Sequence, residues 1–196
     1  MAIIGPHGSG KTTLINKIKK EKNRPIFLST KEVARYCQLN VGKKSDKKSQ
    51  KWIIETQDYI EKAALSINLP LIFDRCLLDQ YAYYRFWCGR DNLIEQMIAK
   101  NIVRYDCVVC LKANPNYLVD DGVRPVDIDF QKEIESIVID NLSLFSVNCV
   151  NDGMSISQIY EFCIKTLNLY DSNKSINAEI EIQSVSEEYR MMLDVM

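Results

Sequence analysis

An octapeptide near the start of the chain restricts the folds open to this sequence more than any other feature. Residues 5–12 read Gly-Pro-His-Gly-Ser-Gly-Lys-Thr, which matches G-x-x-x-x-G-K-[ST] without departure. Its glycines let backbone N–H groups point inward around a phosphate, in conformations that other residues resist. An apolar run at residues 2–4 comes before it, and we expect a helix from about Lys11 to Lys22 whose free N–H groups add to the anion site. The octapeptide predicts a P-loop that binds a nucleoside triphosphate.

The residue types within this loop predict individual roles in binding ATP and Mg2+. The Lys11 ammonium should reach the β- and γ-phosphates as a catalytic group, and the Thr12 hydroxyl should coordinate Mg2+. His7 is the only histidine and stands at a variable position of the motif, so a residue that simply fills the loop is the alternative to a functional one. The predicted ATP-binding residues are Gly5, His7, Gly8, Ser9, Gly10, Lys11, Thr12 and Thr13.

The rest of the chain alternates strand-like apolar runs with amphipathic helical ones. Strands are predicted at residues 2–4, 25–28, 71–73, 106–111 and 145–150, and helices at 11–22, 46–68, 79–102, 127–143 and 155–169. Strands joined by helices imply right-handed crossovers and a sheet covered on both faces. The prediction is an α/β fold of the P-loop NTPase type, with a five-stranded parallel sheet and helices on both faces.

The last part of the chain differs in character from the rest. From Asp171 onward there are six acidic residues against Lys174 and Arg190. We predict a P-loop domain at residues 1–170 and an acidic C-terminal tail at 171–196, with a linker at 171–180. Residues 185–196 would form either a short amphipathic helix that contacts a partner or a second copy, or a disordered end.

Composition and charge exclude some classes of protein. Hydrophobic residues make up 46% and charged residues 26% of the 196, which is ordinary for a globular chain. No apolar run approaches the ~18 residues that a membrane span needs. The glycine loop starts at residue 5, so we expect no secretory signal with an apolar h-region before it, and the seven cysteines are an odd number. We expect free thiols and a cytoplasmic protein without a membrane partner.

A cluster of lysines stands out against the net charge of −1. Its members, opposed only by Asp46, are Lys43, Lys44, Lys47, Lys48 and Lys51. One interpretation is a solvated loop and helix start. The other is that these lysines collect the phosphates of a substrate or of nucleic acid.

The third predicted strand ends in Asp74-Arg75. Ligands of parallel sheets bind beyond the carboxyl ends of the strands, and P-loop proteins place there a carboxylate that holds Mg2+ or takes a proton. We predict Asp74 as a metal-binding and catalytic residue, with a helix N-cap or a salt bridge as the alternative. Arg75 would bind a polar or anionic group of the substrate, unless it forms a structural ion pair.

Two other segments complete the predicted site. Arg124 follows Asp120-Asp121-Gly122-Val123, where a mobile flap over the phosphates would let it stabilise the transferred phosphoryl group; a plain turn is the alternative. Glu32 and Arg35 are about one helical turn apart. With Gln57 they are predicted to line the acceptor pocket, and a surface ion pair between them is the alternative.

These residues together resemble the P-loop kinase-like AAA family that includes the ribosylnicotinamide kinase domain of a bifunctional bacterial regulator. The matching stretches are residues 4–14, 32–35, 73–75 with 78–79 and 82–83, and 119–124. The third stretch is shared with thymidylate and deoxynucleoside kinases. The resemblance implies a nucleotide-kinase-like fold, use of ATP and Mg2+, and a nucleoside- or nucleotide-like acceptor.

Three functions follow as hypotheses. The leading one is a kinase that transfers the γ-phosphate of ATP to such an acceptor. The second is a kinase of polynucleotides or of modified bases in DNA, for which the lysine cluster is the motive. The third is a nucleotide-switched ATPase that acts as an interaction protein through its tail. A homodimer is a further expectation that the sequence leaves open.

Overall fold

The computed structural model describes residues 1–22, 26–67, 69–119, 126–150, 153–169 and 185–195. Its strands are β1 (Ala2–Ile4), β2 (Leu28–Thr30), β3 (Leu71–Asp74), β4 (Val108–Cys110) and β5 (Leu193–Val195). Its α-helices are α1 (Lys11–Lys19), α2 (Lys47–Ser66), α3 (Leu77–Cys88), α4 (Asn92–Asn101), α5 (Ile128–Leu144), α6 (Ile156–Asn168) and α7 (Glu187–Arg190). Short 3-10 turns lie at Val33–Tyr36, Gly42–Lys44, Ile102–Arg104 and Pro115–Tyr117.

The strands form one sheet in the order β4-β1-β3-β2-β5. The first four are parallel, which confirms the predicted α/β fold, and β5 runs antiparallel to β2. The prediction of a fully parallel sheet with its fifth strand at residues 145–150 is therefore wrong. That segment contributes a single parallel bridge between Val150 and Val109. The first residues of this segment still belong to the turn that ends α5. Ser146 has φ 54°, and the Val147 amide donates a hydrogen bond to the Leu142 carbonyl oxygen.

The fifth strand comes instead from the C-terminal end of the chain. Residues 187–190 form the short helix α7 and residues 193–195 pair with β2. The predicted linker at 171–180 lies outside the described residues, and the boundary between residues 170 and 171 stays a prediction. Short strands in an acidic, weakly patterned segment gain their stability from the neighbouring strand, so their own sequence gives little sign of them.

Side-chain caps mark the first turn of several helices. The Asp46 carboxylate and the Ser49 side chain form a capping box at the start of α2, and Ser155 and Gln158 do the same for α6. The single helix predicted at 79–102 is two, because the chain leaves the helical conformation at Gly89, which has φ 77°. Asp91 then caps α4 with hydrogen bonds to the next turn.

Helices cover both faces of the sheet, as the alternating pattern predicts. On one face, Leu14 and Ile18 of α1 pack with Ile159 and Leu167 of α6. The other face is covered by α2, α3 and α5, whose buried side chains join the larger core cluster. Side chains of β1 alternate between these two clusters, so β1 is central, and the loop that follows it is anchored from both sides. Within the described residues, no helix combines the length and the apolar character that a membrane span requires.

Candidate active site

The glycine loop has the backbone that its sequence predicts. Gly5, Gly8 and Gly10 have φ values of 136°, 65° and 88°, in the region that favours glycine. A Cβ atom at Gly5 would lie 2.2 Å from the carbonyl oxygen of Leu111, just beyond β4. Gly10 is the N-cap of α1 and no side chain caps this end. The first N–H groups of α1 therefore face the loop, as an anion site requires.

The Lys11 ammonium is folded back onto its own loop. Its Nζ donates to the carbonyl oxygens of Gly5 (3.0 Å) and Pro6 (2.6 Å) and to Ser9 Oγ (3.0 Å). Burial, together with the nearby positive charge of Arg75, lowers the pKa of Lys11 to about 7. A phosphate entering the loop would offer this ammonium stronger, charged acceptors than the carbonyls it now uses.

Asp74 and Thr12 lie together at the carboxyl ends of β1 and β3. Thr12 Oγ1 donates to Asp74 Oδ2 at 2.9 Å. The Asp74 amide is tied to Thr30 Oγ1 at 3.1 Å. Burial raises the pKa of the Asp74 carboxyl above its usual value, and the Glu32 carboxylate raises it further. Among the described residues, no group hydrogen-bonds the buried Asp74 Oδ1.

This pair of side chains fits a Mg2+ ion. A hydroxyl oxygen and a carboxylate oxygen are the hard ligands that Mg2+ uses beside substrate phosphates. The second carboxylate oxygen is available for a metal-bound water, since the described residues give it no donor. Both residues were predicted as metal ligands from the sequence, and the structure brings them into contact.

Arg75 is buried at the centre of an ion-pair cluster. Its side chain is 2% exposed, Nε donates to Glu32 Oε1 at 2.7 Å, and Nη1 donates to Asp79 Oδ2 at 2.9 Å. Nη1 also lies 3.2 Å from the Gly5 carbonyl oxygen. Burial alone would lower the pKa of Arg75, but these carboxylates, Glu32 foremost, hold it well above its ordinary value. Two carboxylates therefore share one guanidinium directly behind the phosphate loop.

Glu32 and Arg35 form the ion pair that was the alternative to a pocket, and both line the cleft as well. Arg35 Nε donates to Glu32 Oε2 at 3.0 Å, and the Arg35 side chain is 45% exposed while Glu32 is 8% exposed. The structure thus combines the two alternatives. The residues that line the cleft are His7, Gly8, Ser9, Gly10, Lys11, Thr12, Thr13, Glu32, Arg35, Arg75, Tyr117 and Val119.

Gln57 lies behind the cleft instead of on its surface. It is fully buried in α2, and its Nε2 donates to the backbone carbonyl of Arg75 (3.2 Å) and to Glu61 Oε1 (3.0 Å). Arg75 has φ 74°, a conformation that costs free energy for a residue with a Cβ. Gln57 therefore stabilises the β3–α3 turn that carries Arg75.

A buried polar cluster that was not predicted from the sequence lies behind Gln57. Glu61 is fully buried and accepts from Tyr105 Oη (2.6 Å) and from Arg104 Nη1 (3.1 Å). Burial raises the pKa of Glu61 to about 7 in spite of these donors. Arg104 also donates to Asp58 at 2.8 Å. The only sequence signal was the i, i+4 spacing of two polar residues on the apolar face of α2.

His7 is held by aromatic and amide neighbours. Its backbone amide donates to Tyr83 Oη at 2.9 Å, its ring lies 5.0 Å from the ring of Phe130, and its carbonyl accepts from Gln131 Nε2 at 2.7 Å. Tyr83 also lies under the Arg75 guanidinium, 5.1 Å from the ring centroid. These contacts fix the shape of the loop from α3 and α5.

Two predicted features, the flap and the lysine cluster, are not among the described residues that line the cleft. Arg124 and the flap at residues 120–125 lie outside the described residues, although Tyr117 and Val119 just before them line the cleft. Lys44, Lys47, Lys48 and Lys51 are exposed at and before the start of α2. Two of them have nearby carboxylates, Lys47 with Asp91 at 3.8 Å and Lys51 with Glu55 at 3.6 Å. The side chain of Lys43 lies outside what the structure describes.

Comparison with known proteins identifies a family and a shared fold. The family model for an AAA domain matches residues 1–158. Comparison with curated proteins finds no match. Three solved structures illustrate the shared fold, all with low sequence identity. YorR from Bacillus subtilis, in complex with phosphorylated GDP, aligns with a TM-score of 0.54 and 16% identity over 86% of this chain and 95% of its own.

The other two structures agree with the first. NadR in complex with NR aligns with a TM-score of 0.65 and 16% identity, covering 89% of this chain and 52% of NadR. Deoxyadenosine kinase from M. mycoides, with dCMP and dCDP bound, aligns with a TM-score of 0.56 and 19% identity, covering 86% of this chain and 98% of its own. At this identity the likeness concerns the fold. The chain belongs to the AAA domain family of P-loop proteins, and its fold is that of the P-loop nucleoside and nucleotide kinases.

Proposed function

We propose that this protein is an ATP-dependent kinase that phosphorylates a hydroxyl group of a nucleoside- or nucleotide-like acceptor. The observation that carries the proposal is that the phosphate loop and the Glu32–Arg75 pair line the same cleft. A simple ATPase needs the loop but has no use for an acceptor side. A reducing, cytoplasmic location is part of this proposal.

On the donor side, the chain supplies binding and electrostatic stabilisation. ATP would lie on residues 5–13, with Lys11 exchanging its three loop acceptors for phosphate oxygens. Thr12 and Asp74 would hold Mg2+, which neutralises charge on the phosphates when bound. Protonated Lys11 stabilises the charge that develops at the transferred group, and Arg124 would add to this from the predicted flap.

On the acceptor side, the charges favour a hydroxyl group close to Glu32. Arg75 is already paired with Glu32 and Asp79 and is almost completely buried, so it is better suited to orient Glu32 than to bind an incoming phosphate. Glu32 lies in the cleft, where its carboxylate would accept the hydrogen bond of the acceptor hydroxyl and then its proton. Arg35 at the rim would contact the rest of the acceptor, while Gln57 acts indirectly through the Arg75 turn.

The test is phosphate transfer from radiolabelled ATP to a panel of nucleosides and nucleoside monophosphates. We expect turnover with at least one acceptor, its loss in Lys11→Met, and its retention in Lys20→Met, which changes an exposed lysine just beyond the same helix. Glu32→Gln should lower kcat more than it raises KM for ATP, because it removes the proton acceptor and leaves the loop intact. Normal ATP binding without turnover on any acceptor would exclude a kinase of these molecules.

A polynucleotide acceptor is the second candidate, and the exposure of the lysine cluster favours it. Lys44, Lys47, Lys48 and Lys51 are all exposed near the start of α2. Binding through these residues should weaken steeply with salt, with a slope that falls in the double variant Lys47→Glu, Lys48→Glu. The measurement is fluorescence anisotropy with single-stranded DNA and RNA at several salt concentrations. Binding that the double variant leaves unchanged would remove this candidate.

A further inference from the structure

We propose that the C-terminal segment, residues 185–195, is a positioning element for the acceptor side of the cleft. It would hold the segment at residues 31–36, which carries Glu32 and Arg35, at the correct distance from Arg75. The inference rests on the proposed kinase function, because it assigns a role relative to the acceptor. It gives a function to the part of the chain that the sequence presents as a tail.

Backbone pairing brings the C-terminal segment to the residue next to Glu32. In the β2–β5 pair, Leu28, Ser29 and Thr30 lie opposite Val195, Asp194 and Leu193. The ladder continues one residue beyond β2, where the Lys31 amide donates to the Met192 carbonyl oxygen at 2.8 Å. The backbone immediately before Glu32 is therefore fixed by the C-terminal segment.

Side chains hold both ends of the segment at residues 31–36. At its start, Lys31 Nζ lies 2.9 Å from Asp194 Oδ1, and Asp194 Oδ2 lies 3.5 Å from Lys19 Nζ. The hydrogen bond that the Lys31 ammonium donates to Asp194 raises the pKa of Lys31 above its ordinary value. At its end, Tyr36 Oη donates to the Met191 carbonyl oxygen at 3.4 Å. The two cleft residues lie between these two attachments.

The C-terminal segment is itself anchored in the core of the domain. Val185, Met192 and Leu193 are 7%, 2% and 6% exposed and belong to the main core cluster. The ring of Tyr189 lies 4.5 Å from the ring of Tyr59 on α2. Such burial fixes β5 against β2 more firmly than three-residue pairing alone, because apolar area removed from water stabilises the docked state.

The geometry predicts an effect on the acceptor side and little effect on the donor side. β5 is the edge strand and pairs with β2. The phosphate loop follows β1, which is separated from β2 by β3. The Glu32 carboxylate lies 2.7 Å from Arg75 Nε. A shift of the backbone at residues 31–36 would change this distance and move the carboxylate within the cleft. Small displacements of a positioned group cost large factors in rate or acceptor binding.

A pair of charge reversals tests the proposal in the chain with all 196 residues. Asp194→Lys places a positive charge beside Lys19 and Lys31, while Glu187→Lys makes the same change at a residue of the segment that is 94% exposed. We expect Asp194→Lys to raise the KM for the acceptor by about tenfold and to leave the KM for ATP within about twofold. Asp194→Asn, which keeps the size of the side chain, should have a smaller effect, and Glu187→Lys should behave as wild type.

Hydrogen exchange supplies a second measurement that needs no acceptor. The Lys31 amide should exchange faster in Asp194→Lys and in a variant without residues 185–196, while the exchange rates of the phosphate-loop amides stay as in wild type. Unchanged exchange at residues 28–36, or equal increases of both KM values, would overturn the positioning role. If exchange is faster in the variants but the wild-type protein phosphorylates no acceptor, the proposed function has failed. The C-terminal segment would then still fix residues 31–36, but without an acceptor site to position.

Discussion

Replacement of Arg75 by methionine is the most direct test of the charge arrangement behind the phosphate loop. The guanidinium lies 2.7 Å from Glu32 Oε1 and 2.9 Å from Asp79 Oδ2, and it is 2% exposed. Methionine has a similar length but cannot pair, so two buried carboxylates lose their shared cation. Breaking a buried pair by removing one partner costs about 3–5 kcal/mol. For a chain of this length that corresponds to a fall in Tm of roughly 6–20 °C.

Arg90→Met is the matched control for this substitution. Arg90 makes two hydrogen bonds of 2.7 Å to Glu95 but is 57% exposed. Exposed ion pairs contribute little because water and salt screen them, so we expect only a small change in Tm. The measurement is urea unfolding followed by tryptophan fluorescence, with calorimetry for Tm. A loss in Arg75→Met that is no larger than the loss in Arg90→Met would refute the argument from burial.

The pH dependence of Arg75→Met provides a second check with a definite sign. Burial raises the pKa of the Asp79 carboxyl, and Arg75 is the main group that lowers it again. Without Arg75 that pKa rises further, so the folded state keeps a proton that the unfolded state has lost. Stability of the variant should therefore increase as the pH falls from about 8 to about 5. If the variant instead loses stability relative to wild type as the pH falls from about 8 to about 5, the role of Arg75 in lowering the pKa of Asp79 is contradicted.

Three further predictions concern the loop and the metal site. Gly5→Ala should lower both the Tm and the affinity for an ATP analogue, because the new Cβ would lie 2.2 Å from the Leu111 carbonyl oxygen. The control in these thermal-shift assays is Gly153→Ala, where φ is also positive but a Cβ would have no atom within 4 Å. Asp74→Asn should weaken the Mg2+-dependent part of ATP binding by about tenfold or more and leave metal-free binding nearly unchanged, as measured by calorimetry with and without Mg2+. Since the pKa of Lys11 is lowered to about 7, ATP binding should take up protons and weaken as the pH rises above that value. Lys11→Arg should remove this pH dependence, because arginine stays protonated. Calorimetry in buffers of different ionisation enthalpy measures the proton uptake, and uptake that remains in Lys11→Arg would contradict the prediction.

The phosphate loop and the positions of its neighbours could be predicted from the sequence because their chemistry is local. Glycines at fixed spacing, a strand before them and a helix after them specify a backbone conformation without help from distant residues. Asp74 and Thr12 could be placed together because the carboxyl ends of parallel strands meet at one edge of the sheet. The structure brings these two side chains to 2.9 Å, as that reasoning requires.

The partners of Arg75 and the role of Gln57 could not be predicted in the same way. Glu32 and Arg75 are 43 residues apart, and each had several partners of suitable charge in the sequence. Gln57 has the spacing of a residue that could face either the cleft or the core, and only the packing of α2 against α3 places it behind Arg75. Side-chain orientation in a buried cluster depends on which surfaces meet, and that is a property of the tertiary structure.

The sequence by itself predicted a phosphate-binding glycine loop within an α/β sheet, and the structure confirms the α/β fold and the loop backbone. Tertiary structure decided which strand completes that sheet and which residues line the cleft beside the loop. β5 lies in an acidic segment without a strong strand pattern, and it is stabilised by β2 and by the burial of Met192 and Leu193. Local preferences act over a few residues, whereas Tyr36 and Met191 meet across 155 residues. Contacts at that separation form only once the whole chain has folded, because the free energy that stabilises them comes from surfaces that the fold itself creates.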